Sequence, residues 1–396
     1  MLIAIIADDL TGAADSGVQL ARAGYRTAVV FQGSSPPAED GLDAVSVDTD
    51  SRPLPAGFAA ERVVEAAHAV RDSRVVYKKL DSTLRGPVAA EIAAALEATG
   101  REAAVVAPAL PAAGRTTVGG VQMVHGTPVH ETEFANDPKT PVNEGHLPTL
   151  LADVNPEVGA LSVEDVMDPA KVVNALREYR CVVVDAERNE DLEALVRAVP
   201  DPSAVLWAGS AGLAGALGAV YPGPHADEKP LPRSLAGGVL VVVGSLSGVV
   251  REQLRRLEDE RGHAAIPLSA GEPSAVENAA REARAALAED GCAALCSDEE
   301  RGSSEGVVEA LAEAVALLSD EGHFDALVLT GGDTAAGVAR RLGAGGIRLE
   351  GEIESGVPVG ILIGPHPYRV VTKAGGFGEP GTLVNVTDEL LGGEED

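Results

Sequence analysis

The chain has 396 residues, 61 acidic against 31 basic side chains, a formal net charge of −30 and 45% hydrophobic residues. That length exceeds the usual size of one core, so two domains are expected. The negative field opposes nucleic acid and anionic membrane as partners, and no apolar run approaches the roughly 18 residues that span a bilayer.

No basic segment precedes the first strand, so that strand does not read as a secretory signal and the cytoplasm is the default location. Lysine is confined to Lys78, Lys79, Lys139, Lys171, Lys229 and Lys373. An acidic, lysine-poor surface suits a high-salt cytoplasm, where screening is short-ranged, and equally a GC-rich genome. Charge here speaks to habitat rather than to reaction. Cys181, Cys292 and Cys296 lie in or beside apolar stretches with no completed zinc pattern, so buried thiols are expected.

Residues 2–7 are uninterruptedly apolar and read as a strand buried on both faces of a parallel sheet. Asp8 and Asp9 follow at its carboxyl end, where open α/β sheets place their ligands. A helix is expected over 13–22, with Thr11 or Asp9 as N-cap and Gly24 as its stop. Strands are predicted at 27–31, 44–47, 75–78, 103–107, 181–185 and 204–207, with helices at 59–70, 88–98 and 192–198 between them. This βαβ rhythm implies a parallel sheet covered by helices.

Strand alternation sends Lys78 and Lys79 to opposite faces. One of them, with Asp81 and Arg85, is then expected near the sheet edge that holds Asp8 and Asp9. Arg85 suits a carboxylate, and Asp81 suits hydroxyl donors. The helix after this segment is expected to be capped near Ser82 or Gly86. Residues 108–117, with two prolines, a glycine and Arg115, read as a shaped loop with Arg115 at its tip as an anion ligand. Residues 131–138 alone read as an ordinary polar turn. The glycine-rich turn at 208–215 offers amide groups at a helix N-terminus but lacks the dinucleotide-binding spacing.

The proline-rich stretch 221–238 breaks the pattern and is the best linker. Beyond it, strands are predicted at 239–243, 293–296, 326–330 and 359–363. Three donor-rich turns stand out: Gly244-Ser245-Leu246-Ser247-Gly248, Gly331-Gly332-Asp333-Thr334, and residues 373–378 with Lys373, Gly375 and Gly376. Together they suggest a nucleotide pocket, although no P-loop motif occurs. The acidic residues 394–396 read as a frayed end.

Taken in order, Ala7-Asp8-Asp9-Leu10-Thr11-Gly12-Ala13, Asp81-Ser82-Thr83-Leu84-Arg85-Gly86 and Pro111-Ala112-Ala113-Gly114-Arg115-Thr116 resemble the four-carbon acid sugar kinase family. So do Glu131-Thr132 with Asp137-Pro138, residues 209–213, Gly331-Gly332-Asp333-Thr334 and residues 373–378. The resemblance implies an α/β enzyme of two domains, each a mostly parallel sheet covered by helices, with the active site in the interdomain cleft. The expected domains are 1–225 for the sugar acid and 239–396 for ATP, joined by a linker at 226–238.

It implies an ATP- and Mg²⁺-dependent kinase of a threonate, erythronate or 3-oxo-tetronate, compatible with a homodimer. The expected catalytic residues are Asp8, Asp9, Lys79 and Asp81, with Asp9 or Asp8 taking or orienting the hydroxyl proton. Thr11, Arg85, Arg115, Gly209 and Ser210 are expected at the substrate. Ser245, Ser247, Gly331, Gly332, Asp333, Thr334, Lys373, Gly375 and Gly376 are expected at the nucleotide, with Lys79 or Lys373 neutralising the transferring group. Two departures from the family pattern fall in the nucleotide site: Asp333 where many members carry Glu, and Ala374-Gly375-Gly376 where Ser-Gly-Asn is common.

Two other readings compete. A dinucleotide-dependent oxidoreductase predicts a glycine fingerprint after the first strand, and Asp8-Asp9-Leu10-Thr11-Gly12 is not one. A non-catalytic sugar-acid sensor has no need of the donor-rich second half.

Overall fold

The computed structural model describes residues 2–34, 41–152, 157–226, 237–245, 247–263, 265–269, 274–298 and 304–392. Most of the expected linker and the acidic tail at 394–396 lie outside the described residues. Backbone contacts divide the chain into two compact units, Met1–Gln32 with Glu39–Glu228, and Gly33–Ala38 with Lys229–Asp396.

The first unit begins with β1 (Ile3–Ala7), α1 (Leu10–Arg22), β2 (Thr27–Val30), β3 (Ala44–Asp48), α2 (Ala56–Val70), β4 (Val75–Lys79), α3 (Val88–Thr99) and β5 (Ala103–Ala107). A small antiparallel sheet follows, formed by β6 (Arg115–Val118), β7 (Val121–Val124) and β8 (Thr127–Pro128). The unit continues through α4 (Leu147–Ala152), β9 (Val158–Leu161), α5 (Val163–Val166), α6 (Pro169–Glu178), β10 (Cys181–Val184), α7 (Asn189–Ala198), β11 (Val205–Gly209) and α8 (Ala211–Val220).

Its main sheet runs β2-β3-β1-β4-β11-β5-β10-β9, every neighbouring pair parallel. Both faces are covered, which is why β1, β2, β4, β5, β10 and β11 are buried at every position. Ala4, Ile6, Val45, Val76 and Leu206 pack on one face against Val63 and Ala67 of α2 and Val88 and Ile92 of α3. Gly12 of α1 approaches the side chain of Lys79, on the opposite face of β4.

The second unit contains β12 (Val239–Val243), α9 (Gly248–Arg261), β13 (Ala265–Leu268), α10 (Ala275–Asp290), β14 (Cys292–Ser297), α11 (Ser304–Asp320), β15 (Ala326–Thr330) and α12 (Gly332–Arg341). The hairpin β16 (Gly346–Glu354) and β17 (Val357–Ile363), then β18 (Arg369–Lys373) and α13 (Thr382–Leu391), complete it. Strands β13-β14-β12-β15-β18 are parallel, and β18-β17-β16 continue antiparallel. Val241, Val328 and Val371 of this sheet pack with Leu254 of α9 and Leu383 of α13.

Each unit therefore has the expected α/β class with a mostly parallel sheet. Several local expectations change. The segment read as a loop to residue 117 forms a 3₁₀ turn at Pro111–Ala113 and then β6, so Arg115 opens a strand instead of marking a loop tip. Helix α3 starts at Val88 behind Pro87 with no side-chain cap, so neither Ser82 nor Gly86 caps it. All three cysteines are free and buried, and burial pushes the Cys292 thiol up to about 12.

Candidate active site

Register brings three strand ends of the first unit together: Ala7 of β1 stands opposite Asp48 of β3 and Lys79 of β4. Asp8 and Asp9 leave β1 at this edge. Asp9 is the N-cap of α1, its Oδ1 accepting from the Gly12 amide at 2.8 Å. Thr11 lies in the first turn of the same helix and is half-buried.

A residue absent from the sequence reading organises the pair. The Arg52 guanidinium donates to Asp8 through Nε at 2.6 Å and Nη2 at 3.0 Å, and to Asp9 through Nη1 and Nη2, both at 2.7 Å. Burial pushes the Asp8 carboxyl up, but Arg52, helped by Lys78 and Lys79, outweighs it and holds the group below the usual range. Asp8 is buried, whereas a quarter of the Asp9 side chain stays exposed. The available signal was the run Asp48-Thr49-Asp50-Ser51-Arg52, which leaves a predicted strand at the ligand edge of the sheet.

Lys78 and Lys79 do point to opposite faces. Lys78 is fully buried and pairs with Glu91 of α3, Nζ to Oε2 at 2.8 Å. The Lys79 ammonium donates to the Leu80 carbonyl at 2.8 Å and lies close enough to Gly12 that an added Cβ would sit 3.0 Å from Nζ. Asp48 has a different fate. Burial raises its carboxyl to about 8, with Asp9, Asp50 and Asp8 pushing the same way and the Asp50 amide opposing them.

Asp81 accepts from Thr83 Oγ1 at 2.5 Å and from Arg85 Nε at 2.7 Å and Nη2 at 3.2 Å. Burial raises it, but Arg52, Arg85 and Lys79 together hold it well below the ordinary value. Leu84 takes a left-handed φ of 60° and Gly86 one of 91° to turn this loop. A Cβ on Gly86 would lie 3.1 Å from Arg52 Cγ, so glycine serves both the backbone and the packing.

The segment read as a polar turn does more. Its 3₁₀ turn Glu133–Asn136 sets the Phe134 ring 5.6 Å from the Arg85 guanidinium carbon, and Asp137 lies 3.6 Å from Arg85 Nη1. Arg115 is tied to the same group by charge: burial lowers its pKa, and Asp81 opposes that while Arg85 reinforces it.

Gly209 and Ser210 occupy the end of β11, in register with Lys79 and joined to Leu80 by its amide at 2.7 Å. The Ser210 hydroxyl is buried, donates to the Ala109 carbonyl at 2.7 Å and accepts the Gly212 amide at 3.2 Å. It acts as the N-cap of α8.

In the second unit, Val243, Thr330 and Lys373 stand in register at the carboxyl ends of β12, β15 and β18. That register gathers all three donor-rich turns. Ser247 caps α9 by accepting the Val250 amide and donates its hydroxyl to the Gly375 carbonyl at 2.5 Å, while the Ser245 hydroxyl accepts the Ser247 amide at 3.3 Å. A Cβ on Gly375 would lie 2.1 Å from Ser245 Oγ, and one on Gly244 2.1 Å from Thr334 Oγ1.

Gly331, at φ 99°, precedes α12, whose first turn holds Gly332, Asp333 and Thr334. Thr330 Oγ1 is buried with no hydrogen-bond partner. The Lys373 ammonium donates to the Phe377 carbonyl at 2.8 Å and the Ala374 carbonyl at 3.1 Å, closing the loop around Gly375 and Gly376. Burial lowers its pKa to about 8 against the pull of Glu354. Among the described residues, no group of three or more His, Cys, Asp or Glu side chains is placed to hold a metal ion.

A family model described as a sugar-binding N-terminal domain matches residues 3–217, and one described as a nucleotide-binding C-terminal domain matches residues 240–383. The D-threonate kinase of Salmonella typhimurium LT2 is 35% identical over 421 residues, covering 97% of this chain and 97% of that protein. The D-erythronate kinase of Heliobacterium modesticaldum is 33% identical over 443 residues, covering 98% and 97%. A solved structure from Salmonella typhimurium LT2, provisionally described as a tRNA synthase, is 25% identical with a TM-score of 0.84, covering 98% and 99% of the two chains. No helix among the described residues is long and apolar enough to cross a membrane.

Proposed function

Because the chain belongs to the four-carbon acid sugar kinase family, we propose that it transfers the terminal phosphoryl group of ATP to a hydroxyl of a four-carbon sugar acid. The substrate class is threonate or erythronate, with the 3-oxo-tetronates beside them. The observation that carries this reading is the near-full-length identity to a D-threonate and a D-erythronate kinase. A nucleic-acid substrate is opposed by the net charge of −30.

In this reading the first unit holds the sugar acid. Arg115, with Arg85 beside it, supplies positive charge for the substrate carboxylate. Asp9, more open than Asp8, orients the attacking hydroxyl and receives its proton as the new bond forms. A strong base is not needed, since phosphoryl transfer depends mainly on positioning and charge neutralisation. Arg52 fixes the direction of the Asp9 carboxylate, and Lys79 adds charge at the same edge.

The second unit holds the nucleotide. Backbone amides at Gly332 and Asp333, in the first turn of α12, and at Gly375–Gly376, with the Ser245 and Thr334 hydroxyls, suit phosphate oxygens. The unpartnered Thr330 hydroxyl and Asp333 suit Mg²⁺, which commonly binds through one or two carboxylates with substrate phosphates completing its shell. Mg²⁺ held there would supply positive charge to offset that of the phosphate groups.

ADP release measured across a panel of four-carbon acids, at low and high salt, tests the reading. Turnover with D-threonate or D-erythronate is expected. No acid-dependent ADP with any member of the panel would overturn it.

A further inference from the structure

A buried polar chain links the end of β4 through α3 to the residues just before Arg52. Lys78 Nζ contacts Glu91 Oε2 at 2.8 Å and also donates to the Lys79 carbonyl at 2.8 Å. The other carboxylate oxygen of Glu91 accepts the Ser51 hydroxyl at 2.5 Å. Ser51 Oγ lies 2.7 Å from Thr49 Oγ1, which is bonded to the Ala7 carbonyl at 2.7 Å. Lys78, Glu91, Ser51 and Thr49 are all buried.

An ion pair in such a place is weak evidence for stability, because its desolvation cost rivals its attraction and an apolar pair of similar size would often serve as well. An apolar pair could not hold Ser51, however. Ser51 sits between Arg52 and Asp50, whose φ of 46° places a non-glycine residue in the left-handed region. The turn is held from three sides. The Ser51 and Arg52 amides both bond to the Asp8 carbonyl, at 2.9 and 3.1 Å. Arg62 of α2 donates to the Thr49 carbonyl at 3.0 Å, and Glu91 grips the Ser51 side chain.

We infer that the Lys78–Glu91–Ser51 chain is a positioning device. It fixes the turn from Asp48 to Arg52, so that one guanidinium engages both Asp8 and Asp9. Glu91 and Lys78 are positioning residues that act through Arg52 and do not touch the substrate. The inference rests on the reading of this edge as the acceptor site of the kinase.

Ser51→Ala is the decisive variant, because it cuts the link while leaving the Lys78–Glu91 pair intact. Its crystal structure should show Arg52 withdrawn from Asp9. Its kcat should fall on the order of ten- to a hundredfold, since small misplacements of reacting groups cost that much, while KM for ATP is unchanged.

Arg52 still engaging both aspartates in Ser51→Ala, or a kcat equal to wild type, would overturn the inference. If the wild-type protein turned over no four-carbon acid, the functional reading would fall. The position of Arg52 in the Ser51→Ala crystal would then still decide this inference.

Discussion

Arg52 and Asp8 meet through two parallel hydrogen bonds, Nε to Oδ2 at 2.6 Å and Nη2 to Oδ1 at 3.0 Å, at a site where Asp8 is almost wholly withdrawn from water. Removing the guanidinium strands a buried carboxylate, which typically costs about 3–5 kcal/mol. Arg52→Ala should therefore lose stability on that scale in denaturant unfolding. Arg52→Lys keeps the charge but not the fork that reaches Asp9 as well. It should retain much of the stability and lose most of the turnover; a Lys variant with wild-type kcat would show that the fork is dispensable.

Asp9→Asn keeps size and the capping oxygen for the Gly12 amide but removes the proton acceptor. Turnover should vanish while ATP affinity, measured by calorimetry, stays near wild type. Equal losses in both would make Asp9 structural.

The carboxylates at this edge predict opposite pH dependences. Asp8 and Asp81 are held below their unfolded values, so their contribution is present above about 4 and fades as pH falls through their folded values. Asp48 runs the other way. With its folded pKa at about 8, the folded state keeps a proton that the unfolded chain releases near 4, so stability declines with rising pH between those limits. The slope approaches about 1.4 kcal/mol per pH unit. Asp48→Asn preserves the acceptor for the Asp50 amide and should raise Tm relative to wild type at pH 8 far more than at pH 5. An equal shift at both pH values would place the Asp48 titration elsewhere.

Lys373, lowered to about 8 by burial, should lose its charge just above neutrality. ATP affinity should weaken between pH 7 and pH 9, and Lys373→Met should bind ATP more weakly at pH 7 with that dependence flattened. Stability has the opposite sign: between about 8 and 10.4 the unfolded chain binds the extra proton, so this group alone makes folding more favourable as pH rises. Isothermal titration across the range separates the two effects.

Gly375→Ala places a methyl 2.1 Å from Ser245 Oγ. The turn must shift, and KM for ATP should rise on the order of tenfold, the loss expected for about 1.4 kcal/mol of binding energy. KM for the sugar acid should hold. A change confined to the sugar acid would remove these turns from the nucleotide site.

Much of this was legible in advance where the signal is local. Continuous apolar runs such as Ile3–Ala7 and Val239–Val243 declare strands covered on both faces. Their polar ends declare where Asp8 and Asp9 gather with Lys79, and period-two alternation separates Lys78 from Lys79. What escaped depends on contacts distant in sequence. Arg52 lies 44 residues from Asp8, and nothing in the spacing announces that its guanidinium spans both aspartates. Arg115 begins β6 because Thr116 and Thr117 pair with Met123 and Gln122, a pairing hidden under the prolines and glycines around it. Phe134 and Asp137 look like turn residues until the chain brings them to Arg85.

Val243, Thr330 and Lys373 share one level across three parallel strands. Since side chains alternate faces at each step along a strand, shortening β15 by a single residue would swing its whole interior row outward and turn the Thr330 hydroxyl to the opposite side. The placement of the donor groups at this edge is thus written in strand length as much as in glycine.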